Sequence, residues 1–408
     1  MSEWSTTRLG DLADFRKGVK VDVLDRNERG AVPYLGAVAL DTGEVTQYAK
    51  PEGAVTAEAD DVLMLWDGER SGLVGGALSG VVASTVSRLR PKTNIDSSFL
   101  RHALHSKFGW IQARRTGTGV PHVPKDLSSW LSIAHPNEKD EQAAIARILD
   151  CVDEGMRATT VIVKKLKALK QGMICELLMP GGYDGDAPVE TWSSNLPSGW
   201  SISRLEDLLA PVQPAMRSGP FGSALLKHEL VASGVPLLGI DNVRTDKFVA
   251  EYRRFVTPAK AAELSRYRVF PDDVMITIMG TVGRTCLVPH DVRQALSSKH
   301  VWTMTFDQGA YLPYLVMTQL NHAPWALTQL RKDEQGGIMG AIRSDTLKSL
   351  LVPVPPIAEQ QRITATLRAI DDKVDDEAAR LDKLCLLKDG LVGALLSGHV
   401  SAVDGGAA

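Results

Sequence analysis

The sequence predicts an α+β protein: two similar globular α/β units and two long antiparallel coiled-coil helices, arranged as a pseudo-two-fold internal repeat. Three observations predict it. The phrase WSTTRLGDL (4–12) returns as WSISRLEDL (200–208). Five further landmarks return after it in the same order. Two heptad stripes, one per half, stand at a constant offset of 218 residues.

The landmarks justify the elements in turn. AVPYLG (31–36) is answered by GVPLLG (234–239). ADDVLMLWDGERSGLVG (59–75) is answered by PDDVMITIMGTVGRTCLV (271–288). In each, two acidic residues lead into an apolar run, a glycine-punctuated turn and a second apolar run, the pattern of a hairpin with a backbone-exposing turn. SSFLRHAL (97–104) is answered by LPYLVMTQL (312–320), both short amphipathic helices. RRTGTGVPHV (114–123) is answered by RKDEQGGIMGAI (331–342), each a basic pair entering a Gly-rich loop. PNEKDEQAAIARIL (136–149) is answered by PPIAEQQRITATL (355–367), and each opens a long helix.

The helical stripe runs Ile145, Leu149, Val152, Met156, Val163, Leu166, Met173, Leu177, with Thr159 and Lys170 at the missing steps. Adding 218 gives Ile363, Leu367, Ile370, Val374, Leu381, Leu384, Leu391 and Leu395, with Glu377 and Lys388 at the same gaps. A sustained heptad with charged flanks reads as a coiled-coil seam, the alternative being that each helix packs on its own globular unit, and about 40 residues of helix span about 60 Å. The boundaries follow: a globular unit over 1–137, helix 138–179, a Gly/Pro/Ser/Asp-rich linker 180–199, a second unit 200–356, helix 357–397 and a disordered tail 398–408. If the helices run antiparallel, twin heads at a fixed separation suit a ligand with two marks a set distance apart. Duplex DNA fits, because separation along its axis also sets rotational phase.

Composition narrows the class. With 44% hydrophobic and 23% charged residues the chain reads as a soluble globular protein. No apolar run approaches the ~18–20 residues of a membrane span. The N-terminus MSEWSTTRLGD lacks the apolar core of a secretion signal, so a cytoplasmic location is expected. Cys151, Cys175, Cys286 and Cys385 show no metal-ligand spacing and read as small core residues in a reducing compartment. A net charge of −3 does not advertise nucleic acid; a DNA partner requires the cations to gather on one face.

Three stretches carry a family resemblance: LPSGWSISRLEDL (196–208), RSGPFGSALLKHELVASGVPLLGIDNV (217–243) followed by DDVMITIMGTVGRTCLVP (272–289), and PVPPIAEQQRITATLRAID (353–371). Together with the duplicated plan they resemble the specificity (S) subunits of type I restriction-modification systems. The second half matches more closely. The first has FRKGVKVDVLDRNERGAVPYLG (15–36) in place of an SGPFGS-like loop and WDGERSG (66–72) in place of Gly-Thr-Val-Gly.

The resemblance implies a non-catalytic subunit whose two target-recognition domains each read half of a bipartite double-stranded DNA target. The coiled coil would set the gap and dock two methyltransferase subunits. Those partners would bind S-adenosylmethionine and flip the target adenine, and restriction/translocase subunits would join for cleavage. The alternative is a scaffold that assembles protein partners with DNA only incidental.

A search for catalytic machinery points the same way. There is no G-x-x-x-x-G-K-[ST] loop, and GGIMG (336–340) follows a polar segment rather than a strand. Val354 and Ile357 flank Pro355-Pro356 where an amino-methyltransferase motif needs polar and aromatic residues. His102 and His105 read as partly exposed helix residues without further ligands, and DDKVDDE (371–377) reads as a solvated or docking face. No catalytic or metal-binding residue is assigned.

The DNA-contact candidates of the first head are Arg16, Lys17, Lys20, Arg70, Arg114, Arg115, Thr118 and Lys125. Those of the second are Arg217, Ser218, Lys227, Asn242, Arg284, Lys299, His300, Arg331, Lys332 and Arg343. Cations and glycines allow close, charge-assisted approach to phosphate, and a subset of polar groups would read base edges. Tyr34, Trp66, Phe221 and Trp302 read as core.

Overall fold

The computed structural model describes residues 3–117, 119–179, 196–332, 342–400 and 402. Thr118, the linker residues 180–195, the Gly336–Gly340 loop and most of the C-terminal tail lie outside the described residues. The chain forms two compact units, Met1–Val161 with Glu377–Ala408, and Ile162–Asp376.

The first head carries β1 (Trp4–Arg8), β2 (Ala13–Lys17), β3 (Val23–Leu24), β4 (Val32–Leu35), β5 (Tyr48–Ala49), β6 (Thr56–Ala57), β7 (Val62–Leu65), β8 (Val74–Gly76), β9 (Gly80–Val82), β10 (Val86–Pro91) and β11 (Ser132–Pro136), with helix α1 (Ser97–Ser106). An antiparallel sheet runs β2-β10-β7-β8. A second runs β3-β5-β4-β9-β6, with β4 and β9 parallel. β1 and β11 close the head as an antiparallel pair, and α2 (Lys139–Leu178) follows.

The second head repeats this plan. Its strands are β12 (Ser201–Arg204), β13 (Met216–Ser218), β14 (Val235–Leu238), β15 (Val243–Arg244), β16 (Lys247–Phe248), β17 (Phe255–Val256), β18 (Arg268–Val269), β19 (Val274–Thr277), β20 (Thr285–Leu287), β21 (Ala295–Ser297), β22 (Val301–Met304) and β23 (Leu351–Val354). Helices α3 (Pro313–His322) and α4 (Ile357–Leu395) follow the order of the first half. The sheet β13-β22-β19-β20 matches β2-β10-β7-β8 strand for strand. The sheet β17-β14-β21-β18 again holds one parallel pair, β14 with β21. The hairpins read from the paired acidic motifs are β7–β8 and β19–β20.

Strands β7 and β19 are four residues long and buried throughout, apolar except for Thr277, as expected of central strands. Onto them pack the short helices. Phe99, Leu100 and Leu104 of α1 share one core with Val62, Met64, Ile145, Leu149 and Leu395. Leu315 and Leu320 of α3 share another with Val274, Ile276, Ile174, Leu178, Ile363 and Leu367. Each head is thus cored together with a segment of each long helix.

Within each unit the two helical segments run antiparallel. In the first, Leu384 lies beside Gly155, Lys388 Nζ pairs with Asp153 Oδ1 at 2.6 Å, and Leu395 joins Ile145 and Leu149 in the core. In the second, Lys170 Nζ pairs with Asp371 Oδ1 at 2.6 Å. The offset of 218 relates Asp153 to Asp371 and Lys170 to Lys388. Two of the residues that break the apolar stripe are therefore the cations of the interhelical ion pairs.

The cysteines correct an expectation. Cys286 is buried on β20, but Cys175 is half-buried and Cys151 and Cys385 are exposed; all four are free thiols. Positions 151 and 385 lie off the seam, on the outer faces of their helices.

A buried amide clamps each head to its helix. Gln142, fully buried, accepts from the Asp96 N–H (2.7 Å) and donates to the carbonyls of Pro136 (2.9 Å) and Asn94 (3.3 Å). Gln360, its repeat equivalent, accepts from the Leu312 N–H (2.9 Å) and donates to Pro355 (2.8 Å) and Ala310 (2.9 Å). Replacing Gln142 by Leu takes the partner from three backbone groups at once, the buried Pro136 carbonyl among them. It is expected to destabilise the first unit by about 2–4 kcal/mol, read as a lower urea midpoint.

Candidate nucleic-acid interface

The edge strand of each main sheet ends in a glycine that touches neighbouring backbone. Gly18 donates its N–H to the Val86 carbonyl (2.9 Å), and Gly219 donates to the Ser298 carbonyl (3.1 Å). A Cβ on Gly18 would collide with the carbonyls of Val82 and Ala83; one on Gly219 would collide with Ser297 and Ser298 backbone. Both sites therefore require glycine, and both launch the next residues outward. Lys20 is exposed, and Phe221 is 61% exposed. Phe221 is thus not core, because Gly219 is pinned behind it and Gly222 turns the chain at φ 56°.

The paired acidic motifs supply a second common anchor. The second aspartate is buried in each: Asp61 accepts from the Glu58 N–H (2.9 Å) and Asp273 from the Phe270 N–H (2.7 Å). Their cations come from different strands. Arg90 on β10 forks onto Asp61 at 2.9 and 2.8 Å, whereas Arg217 on β13 pairs with Asp273. Arg217 also donates to the Arg268 carbonyl (2.6 Å) and to Thr305 Oγ1 (2.9 Å). Only 4% exposed, it is a structural ion pair rather than a free phosphate contact. Burial pushes the Asp273 carboxyl up and the Arg217 guanidinium down from their ordinary values.

Two more candidates are drawn inward. Asn242 is buried, accepting from the Gly239 N–H (3.0 Å) and donating to the carbonyls of Val249 (2.9 Å) and Glu251 (3.0 Å). Ser218 is 7% exposed, with its hydroxyl lacking a hydrogen-bond partner.

In the first head Lys17, Arg70 and Arg115 gather around the β7–β8 loop, which bonds to the following chain through Gly68 N–H to Pro121 carbonyl (2.8 Å) and Val123 N–H to Trp66 carbonyl (2.9 Å). Lys17 pairs with Asp67 (2.6 Å), and Arg70 forks onto Asp41 (2.7 Å twice). The Arg70 hydrogen bond, outweighing partial burial, holds the Asp41 carboxyl below the usual range. Arg114 stacks 3.9 Å from the Trp110 ring centre, and Arg115 donates to the carbonyls of Gln112 (2.9 Å) and Glu69. Arg16 and Lys125 are exposed.

In the second head the candidates fall into two groups. Lys227, Lys299 and His300 line a cavity of about 300 Å³ with Arg254, which sequence reasoning missed. Burial, then Lys299 and Arg254, hold the His300 imidazole below its ordinary value. Arg284 and Arg331 line another cavity of about 240 Å³ together with Ile342, whose neighbour Arg343 is exposed. The side chain of Lys332 lies outside the described residues.

Of the histidine pair, His105 is exposed as the sequence suggests, whereas His102 departs from expectation. His102 is 3% exposed, with Nε2 2.8 Å from Asp150 Oδ1 and Nδ1 4.0 Å from Asp153 Oδ2. Three groups of metal-ligand type thus converge. Arg101 already pairs with Asp150 and Lys388 with Asp153, so cations occupy both carboxylates. The cluster locks α1 onto the first unit's helical segments.

Two heads of one topology, each presenting glycine-launched loops with cations around them, define a duplicated recognition subunit. The profile described as "Type I restriction modification DNA specificity domain" matches residues 1–168 and 223–385, and the chain belongs to this family. It is a specificity subunit with two recognition domains. It is 24% identical to the type I restriction enzyme MjaVIII specificity subunit of Methanocaldococcus jannaschii, over 98% of this chain and 93% of that one. It is 20% identical to the EcoBI specificity subunit of Escherichia coli, over 93% and 83%. The crystal structure of a type I S subunit from M. genitalium shares the fold at TM-score 0.62 and 17% identity, covering 97% of this chain and 96% of that one.

Two outcomes test these assignments. Arg217→Ala leaves Asp273 buried and unpaired, and a loss of about 3–5 kcal/mol in urea unfolding is expected; replacing both residues by apolar side chains should recover most of it. For His102, burial and then the Arg101 charge hold the imidazole below its ordinary 6.5. The unfolded chain therefore binds a proton that the folded chain refuses, and stability should fall as pH drops below about 6.5. His102→Gln should reduce that slope, and an unchanged slope would refute the assignment.

Proposed function

We propose that this chain reads a bipartite duplex DNA target, one half-site per recognition domain, as the sequence-reading part of a type I restriction-modification complex. The observation that carries the reading is the pairing of one sheet topology with two different sets of loop residues. A shared scaffold with different loops is what two different half-sites require.

The chain contributes no catalytic group in this reading. Methyltransferase subunits, two in number, hold S-adenosylmethionine, and restriction or translocase subunits join for cleavage. Two equivalent helical positions support paired docking. The offset of 218 relates Leu169 to Leu387, and these leucines are 53% and 50% exposed. An exposed leucine recurring at the same repeat position suits two copies of one partner. The long helices set the gap between half-sites. No helix among the described residues is long and apolar enough to cross a membrane.

Methylome sequencing of cells carrying this chain with its methyltransferase is expected to show one bipartite methylated motif. Inserting seven residues into both helices should change the motif's gap and leave its half-sites intact. Retention of the methyltransferase without sequence-dependent DNA retention would favour the scaffold reading instead.

A further inference from the structure

We propose that the residues launched by the two pinned glycines touch DNA at equivalent points by different physics: Lys20 as a phosphate ion pair in the first head, Phe221 as an apolar contact to bases in the second. This rests on the DNA-reading role argued above and specifies how each loop tip contributes to it.

The equivalence is geometric. Gly18 and Gly219 follow matching edge strands, donate to backbone at the start of β10 (Val86) or just before β22 (Ser298), and leave no room for a side chain. Two residues further on, each chain reaches an exposed tip, Lys20 or Phe221. Neither Lys20 nor Lys227 nor Lys299 has an ion-pair partner among the described residues. The surroundings of Phe221 identify the occupant. Pro220 and Gly222, its direct neighbours, line the same cavity as Lys227, Lys299, His300 and Arg254; Arg254 is paired with Asp241, so Lys227 and Lys299 are the cations that this cavity leaves available. Leu226 at 44% exposure belongs to that lining. An apolar tip beside a basic wall fits a polyanion with planar apolar faces: phosphates lie on the cations and a base step receives the ring. At the first head's tip the ring is replaced by a charge, which is suited to the backbone alone.

Salt dependence separates the two contacts, because an ion pair with phosphate releases counterions and an aromatic contact does not. The chain assembled with its methyltransferase is titrated with a duplex bearing the methylome-derived target, across a range of salt concentrations. Lys20→Gln should lower the slope of log K against log salt by about 0.9. Phe221→Ala should weaken binding by about tenfold at every salt concentration, with the slope unchanged. Both positions are exposed, and thermal melts identical to wild type would confirm intact folds. Wild-type affinity in Phe221→Ala, alongside a wild-type complex that prefers its target over a scrambled duplex, overturns the inference alone. Loss of methyltransferase co-purification in Phe221→Ala without loss of DNA affinity also overturns it, assigning the tip to a protein contact. A wild-type complex with no preference for its target removes the DNA-reading role itself.

Discussion

A buried amide joins each head to its helical segment where the chain enters the long helix, and what the loops present depends on that joint. Gln142 and Gln360 each satisfy three backbone groups where the chain leaves a sheet and enters a long helix. The Pro136 and Pro355 carbonyls among them are buried, so an unmade bond there would cost the desolvation penalty. The amide does what an apolar residue at the same place cannot: it specifies the angle of exit as well as the burial.

Outward from that joint, the two units solve shared problems with different residues. Both bury the second aspartate of a paired acidic motif and cap it with a backbone N–H three residues upstream. The neutralising arginine then comes from β10 in one head and β13 in the other. The lock between short helix and long helices also differs. His102, Asp150 and Arg101 form it in the first unit; in the second, Tyr314 donates to Asp371 (2.6 Å), and Lys170 (3.2 Å) meets His322 of α3 on Asp246. Duplication preserved the geometry while the partners drifted, as expected where a buried charge needs a partner but not a particular one.

Much of the fold was legible because repetition is a stronger signal than propensity. The order of landmarks gave the hairpins, the short helices and the heptad stripes without reference to any contact. The site was less legible, for physical reasons. Arg217 looks like a phosphate contact in sequence, but its carboxylate partner lies 56 residues away, and local sequence does not reveal burial. Lys17 and Arg70 are claimed by Asp67 and Asp41 in the same way. Phe221 was misjudged in the opposite sense. Its hydrophobicity argued for the core, while the flanking Pro220 and Gly222 marked a turn whose anchor points the ring outward. The flanking residues were the better guide.

The division of the chain between the units bears on how it matures. Ile162–Asp376 is a continuous stretch, whereas the other unit joins Met1–Val161 to Glu377–Ala408. As the polypeptide leaves the ribosome, the later-encoded head can be complete while the earlier one still lacks the strip of helix bearing Leu391 and Leu395. Until that strip is made, Ile145 and Leu149 lack the Leu395 neighbour that completes their core.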